Sequence, residues 1–175
     1  MPQATLDIRE YIRDIPDFPK PGVIFKDITP LLRDKDAFRE AINWITEPFS
    51  KSQIDVVVGV ESRGFVFASA AALQLGAGFV PVRKPGKLPW KTIEASYELE
   101  YGTDKLQIHQ DAIQKGQKVL IVDDVLATGG TASATTALVH RLGGTIVQVA
   151  FLIELTFLNG KDKMKDYSFR SLIQY

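Results

Sequence analysis

The run from Lys118 to Thr131 constrains this chain more than any other stretch. A short apolar strand, Lys118–Val122, ends on two adjacent carboxylates, Asp123 and Asp124. Ala127-Thr128-Gly129-Gly130-Thr131 follows and opens a helix expected over Thr131–Leu142. Paired glycines let the backbone turn tightly and aim several N–H groups at one point. Thr128 and Thr131 add hydroxyl donors, and the helix start adds its positive dipole end. Such a turn suits a phosphate monoester. No Lys follows the glycines, so it is not a P-loop, and it lacks the Gly-x-Gly-x-x-Gly spacing of a dinucleotide site. Carboxylates beside a phosphate need another partner, and the hydroxyls of a sugar 5-phosphate fit, since each Asp accepts two O–H bonds.

The rest of the chain alternates strand and helix. A Val-rich strand over Asp55–Val60 precedes a helix over Phe65–Leu75 and a strand over Phe79–Val82. Tyr97–Tyr101 and Leu106–His109 read as a pair of edge strands around Gly102, and Thr145–Leu155 as a further strand. This alternation predicts a three-layer α/β domain with a mostly parallel central sheet, spanning 1–175 without a linker. Glu61-Ser62-Arg63-Gly64 leaves its strand as Asp123-Asp124 leaves the other, by an acidic residue and a glycine turn into a helix. In an open parallel sheet both turns face one crevice beyond the carboxyl ends of the strands. Nearer the N-terminus, Ile8, Tyr11, Ile12 and Ile15 have the spacing of a short amphipathic helix. Pro16, Pro19 and Pro21 then force an extended segment over Val23–Ile28. Asp34 is the expected N-cap of a helix running to about Phe49, with Ala37, Phe38, Ala41, Ile42 and Ile45 as its apolar stripe.

Composition removes several classes of function. The 175 residues carry 21 Lys and Arg against 21 Asp and Glu, without the basic excess of a nucleic-acid binder. With no cysteine and only His109 and His140, thiolate chemistry and a histidine-rich metal site are excluded. Both histidines are expected on structural elements. Asp7, Arg9, Glu10, Arg13 and Asp14 interrupt any signal-like apolar run, and Gly76, Gly78 and Pro81 break the uncharged stretch Gly64–Val82. The expectation is a soluble, cytoplasmic protein with no membrane and no nucleic-acid partner.

Val122-Asp-Asp-Val-Leu-Ala-Thr-Gly-Gly-Thr131 resembles the phosphoribosyl pyrophosphate (PRPP) motif of the type I phosphoribosyltransferases, in the version of the branch that acts on adenine. Pro19-Lys-Pro-Gly-Val-Ile-Phe-Lys-Asp-Ile28, Glu61–Phe65, Arg83-Lys-Pro-Gly-Lys-Leu-Pro89, Ser96-Tyr-Glu-Leu-Glu-Tyr-Gly102 and Ser171-Leu-Ile-Gln-Tyr175 are similar to further motifs of that branch, in the same order. Trp90 departs from the pattern, where a small or charged residue is commoner. The resemblance implies a type I phosphoribosyltransferase-like fold with a hood at about 16–33 and a closing loop at about 92–104. It implies a Mg²⁺-assisted pentosyltransferase of purine salvage that converts adenine and PRPP to AMP and pyrophosphate, as a homodimer.

The resemblance also distributes roles. Ala127, Thr128, Gly129, Gly130 and Thr131 would hold the 5-phosphate, and Asp123 and Asp124 the ribose hydroxyls beside the reacting carbon. Glu61, Ser62, Arg63 and Gly64 resemble the pyrophosphate loop, whose non-proline peptide is cis in the family. Arg63 is either its phosphate fork or a surface ion pair. Arg83, Lys84 and Lys87, in a cationic run with Lys91, would reach pyrophosphate near the partner subunit, or form a solvated basic loop. Glu100 would exchange a proton with N7 of adenine, and Tyr101 would help to close the loop or pack on the core. Ile24, Phe25 and Lys26 would cover adenine with Leu126 opposite, though Phe25 equally suits a core. No protein side chain is assigned to Mg²⁺, which PRPP itself would carry. Transfer to another nucleobase and a non-catalytic PRPP-sensing regulator are the alternatives.

Overall fold

The computed structural model describes residues 6–51, 53–98 and 102–175. They fall into two compact units, residues 1–44 and 45–175.

In the first unit a single 3-10 turn, Ile8–Tyr11, stands where the spacing predicts a helix to Ile15. Strand β1 (Arg13–Pro16) takes over and pairs antiparallel with β2 (Ile24–Asp27). Charge explains the change. Arg13 lies opposite Asp27 and Asp14 opposite Lys26, and both cross-strand pairs close at 2.7 Å. Helix α1 (Thr29–Arg33) follows, then α2 (Lys35–Thr46), which runs on into the second unit. Asp34 caps α2 as expected, its Oδ1 accepting the N–H groups of Asp36 (3.0 Å) and Ala37 (2.9 Å).

The second unit is a β-α-β array. It comprises β3 (Val56–Val60), α3 (Gly64–Leu75), β4 (Gly78–Val82), β5 (Thr92–Glu98), β6 (Thr103–His109), β7 (Lys118–Leu126), α4 (Gly130–Arg141), β8 (Thr145–Glu154) and β9 (Phe169–Gln174). Five of these strands form a parallel sheet in the order β4-β3-β7-β8-β9. Val58, Ile121, Leu138 and Phe151 are almost wholly buried in its core. The expected three-layer α/β class is therefore the observed one. Three details differ. Strands β5 and β6 pair with each other over seven register partners as a separate ribbon, linked to the sheet region by an Arg83–Gln107 bridge and packed into its core through Leu106 and Ile108. Strand β7 continues through Asp123 and Asp124 to Leu126. Strand β9 was not anticipated. It lacks an apolar run and is seated on β8 by Ser171 Oγ and Gln174 Nε2, which donate to Glu154 Oε2 at 2.6 and 3.1 Å.

No helix among the described residues is long and apolar enough to cross a membrane; Gly64–Val82 divides into α3 and β4.

Candidate active site

Register brings the two acidic turns together. Strands β3 and β7 are neighbours, with Gly59 opposite Val122, so the turns that follow them open at the same end of the sheet. Asp123 and Asp124 are 9% and 7% exposed. Asp123 Oδ1 accepts the Asp124 N–H at 2.8 Å. Arg63 Nε approaches Asp124 Oδ2 to 2.6 Å, a close ion pair without the alignment of a hydrogen bond. Gly64 is where α3 packs down on this pair, since a Cβ there would stand 2.7 Å from Asp123 Oδ1. Burial, and then the neighbouring Asp124 charge, push the Asp123 carboxyl well above the usual carboxylate range. Asp124 is also raised by burial, against the pull of Arg63. Two buried acids with one cation between them form a site short of positive charge.

The turn beyond β7 is a concave loop lined by residues 125–132. Gly129 occupies the left-handed region at φ +76°, and α4 begins at Gly130, so its first-turn N–H groups lack intrahelical partners. Thr128 is exposed and Thr131 half-buried. The loop has a back wall in the 3-10 turn Gly160–Met164. A Cβ on Gly160 would stand 2.2 Å from the Ala127 carbonyl oxygen, and one on Gly129 would stand 2.6 Å from that of Gly160. Leu126, expected opposite a base, lies at the end of β7 beside this loop. It is 1% exposed, within the core, and a Cβ on Gly160 would meet its Cδ1 at 3.0 Å.

The peptide between Glu61 and Ser62 is cis, as the resemblance implies. The Glu61 carboxylate does not face an open anion site. It pairs with Lys87, accepts from Arg83 Nε at 3.1 Å and accepts the Lys84 N–H at 3.0 Å. Burial raises its pKa, but these donors outweigh burial and hold the carboxyl below its ordinary value. Lys84 Nζ meets Asp104 at 3.0 Å, and Arg83 also lies over the Phe65 ring at 5.9 Å. The expected basic segment is thus assembled, with Arg83, Lys84 and Lys87 matched by carboxylates of the same chain.

In the first unit, Ile24 is exposed, Phe25 meets Phe18 edge-on at 5.1 Å, and Lys26 holds Asp14. Glu100 and Tyr101 lie outside the described residues. His140 Nε2 sits 3.1 Å from the Tyr167 hydroxyl and His109 ends β6, both on structural elements as expected. Sequence reasoning missed Tyr97, Asp104 and Gly160. Tyr97 and Asp104 could have been found from the register of a hairpin turning at Gly102, whereas nothing in the sequence marks Gly160.

A phosphate-sized loop at the carboxyl edge of a parallel sheet, beside two buried carboxylates, defines a class of sugar-phosphate enzyme. Residues 26–174 match the phosphoribosyl transferase domain family, and the chain belongs to that family. Within it, the chain takes its place among the adenine phosphoribosyltransferases. It is 57% identical to the adenine phosphoribosyltransferase of Thermotoga maritima over 170 residues, covering 97% of this chain and 98% of that one. Its structure is similar to that of the Rhodothermus marinus enzyme (TM-score 0.92, 52% identity, 96% of each chain). It is also similar to that of the Saccharomyces cerevisiae enzyme, crystallised with an imino-altritol bisphosphate and adenine (TM-score 0.89, 41% identity, 94% of this chain and 96% of that one).

Proposed function

We propose that the chain transfers the phosphoribosyl group of PRPP to N9 of adenine, giving AMP and pyrophosphate, as a cytoplasmic enzyme of purine salvage. The observation that carries this reading is the buried Asp123–Asp124 pair at the mouth of the Ala127–Thr131 loop. The loop N–H groups and the Thr128 and Thr131 hydroxyls bind the 5-phosphate. Asp123 and Asp124 accept the ribose 2- and 3-hydroxyls, and their charge lies where an oxocarbenium-like transition state becomes positive. Arg63, with Ser62 and Gly64 beside it, holds the pyrophosphate as the bond to the anomeric carbon breaks. Arg83, Lys84 and Lys87 assist once the incoming anion displaces Glu61 and Asp104 from them. Ile24, Phe25 and Lys26 cover the base, and Glu100 holds the proton at N7 while N9 attacks.

No group of three or more His, Cys, Asp or Glu converges on a metal-sized site among the described residues. A magnesium ion would be held mainly through PRPP oxygens, beside a site where two buried carboxylates leave positive charge in short supply. When bound, it offsets the charge that develops on the departing pyrophosphate.

Incubation with PRPP, Mg²⁺ and each nucleobase in turn is expected to yield a nucleotide with adenine and none with hypoxanthine, guanine or orotate. Absence of AMP with adenine would overturn the assignment. The homodimer is supported by an apolar face in the second unit. Val66 (37% exposed) and Leu73 (85%) lie two turns apart on the outward side of α3, and Phe79 (37%), on the edge strand β4, meets the neighbouring Phe65 edge-on. Light scattering should give twice the 19.4 kDa chain mass, and Leu73→Asp with Phe79→Asp should return the monomer. A native chain that runs at 19.4 kDa removes the dimer from the proposal.

A further inference from the structure

The β5–β6 ribbon contains a polar path through Tyr97, a residue that no step above uses. Tyr97 and Asp104 are register partners across the ribbon, and the Tyr97 phenol donates to Asp104 Oδ2 at 3.2 Å. The same Asp104 oxygen meets Lys84 Nζ at 3.0 Å, and Asp104 Oδ1 accepts the Lys105 N–H at 2.8 Å. On its other side the Tyr97 ring lies on the first residue of α4. A Cβ placed on Gly130 would stand 2.8 Å from Tyr97 Cδ2 and 3.2 Å from the Glu98 carbonyl oxygen. Burial first, and then Asp104, raise the phenol's pKa above its ordinary value, so it remains a protonated donor throughout the neutral range. One continuous path therefore runs from Lys84 through Asp104 and Tyr97 to Gly130, from the basic segment to the phosphate loop.

We propose that Tyr97 is a positioning residue for the 5-phosphate of PRPP, its hydroxyl anchored by Asp104 so that its ring backs Gly130 at the loop. The path joins the two ends of a ligand that carries phosphate at both. Asp104 ties the Lys84 end to the Gly130 end, so that an anion at one is felt at the other through a single side chain. This rests on the reading of Ala127–Thr131 as the 5-phosphate loop and of Lys84 as a pyrophosphate cation.

Tyr97→Phe, Tyr97→Ala, Asp104→Asn and the Tyr97→Phe/Asp104→Asn double variant test it. The measurements are calorimetric affinity for ribose 5-phosphate, KM for each substrate, kcat and Tm. Tyr97→Phe keeps the ring and loses one hydrogen bond, so ribose 5-phosphate affinity and PRPP KM should worsen about three- to tenfold. Adenine KM, kcat at saturating substrate and Tm should hold, a split that general destabilisation does not give. Asp104→Asn should match Tyr97→Phe, although among the described residues Asp104 pairs with ribbon residues and Lys84 rather than with the loop. The double variant should be no worse than either single change, as groups on one path are non-additive. Tyr97→Ala should be the weakest binder of all; if its Tm falls, Tyr97→Phe carries the test. Unchanged ribose 5-phosphate affinity in Tyr97→Phe, or additive losses in the double variant, overturns the proposal. Thr131→Ala and Lys84→Ala, measured alongside, separate it from its premises. If these leave ribose 5-phosphate and pyrophosphate affinity respectively unchanged, the loop or cation reading fails instead.

Discussion

Replacing Asp123 by Asn is expected to cost about a hundredfold or more in kcat/KM while making the ligand-free protein more heat-stable at neutral pH. Both effects come from one cause. Asp123 and Asp124 share a buried position, and burial with mutual repulsion raises the Asp123 carboxyl well above its ordinary value near 3.8. A carboxyl that is harder to ionise in the folded chain than in the unfolded one opposes folding once it is charged. Its protonated form is favoured by the fold, so no penalty exists below the unfolded value. Stability is then lost as pH rises through the raised folded value. Asn keeps the oxygen that accepts the Asp124 N–H and never ionises. The Tm advantage of Asp123→Asn over the native chain should therefore be absent near pH 3.5 and grow steadily toward pH 8. For a chain of this size each kcal/mol corresponds to about 2–4 °C. Differential scanning calorimetry across that range, with steady-state kinetics at one pH, reads both halves. A variant less stable than the native chain at pH 8 contradicts the electrostatic account of the pair.

The second large effect is expected at Glu100. Glu100→Ala should lower kcat by ~10²–10⁴-fold and leave PRPP affinity near the native value, because a general acid or base acts in the transition state rather than in binding PRPP. Glu100 itself lies outside the described residues; the support for its role is the motif that contains it and the ribbon that carries that motif. Strand β5 ends at Glu98 and β6 begins at Thr103, and the ribbon is anchored to α4 through Tyr97 and Glu98. Arg141 also donates to the Glu94 carbonyl oxygen. The ribbon is thus held on α4 as far as Glu98. Glu98→Ala is the informative control, since it removes an acid of the same motif from the neighbouring strand. Equal losses at the two positions would deny Glu100 a special role.

The parallel sheet was legible because its strands are short runs such as Val56–Val60, buried on both faces and so apolar throughout. The same reasoning fails where burial and polarity part company. Asp123 and Asp124 read as the end of a strand, yet β7 carries them inside and continues to Leu126. Strand β9 was illegible because it is an edge strand held by Glu154 rather than by an apolar pattern. Ile8–Ile15 has helical spacing over too few residues to outweigh two cross-strand ion pairs. In the site, the contiguous loop 127–131 was readable, since one turn supplies all of it. The grip of Arg83 and Lys87 on Glu61 was not, because Glu61 stands 22 and 26 residues before those cations and meets them only after β3 and β4 align.

Gly129 and Gly160 face one another so closely that neither has room for a methyl group. For inheritance, this makes two distant codons behave as one. A change at either alone brings side-chain carbon against a backbone carbonyl, and no neighbouring rotamer can relieve it, because both obstacles are main chain. Helix α4, strand β8 and the turn between them can drift in sequence and still deliver Gly160 to the same spot. A single inserted or deleted residue in that span would move it away. Alterations of length should therefore be scarcer between Gly129 and Gly160 than substitutions are, a pattern that a library of random insertions, selected for growth on adenine, would display directly.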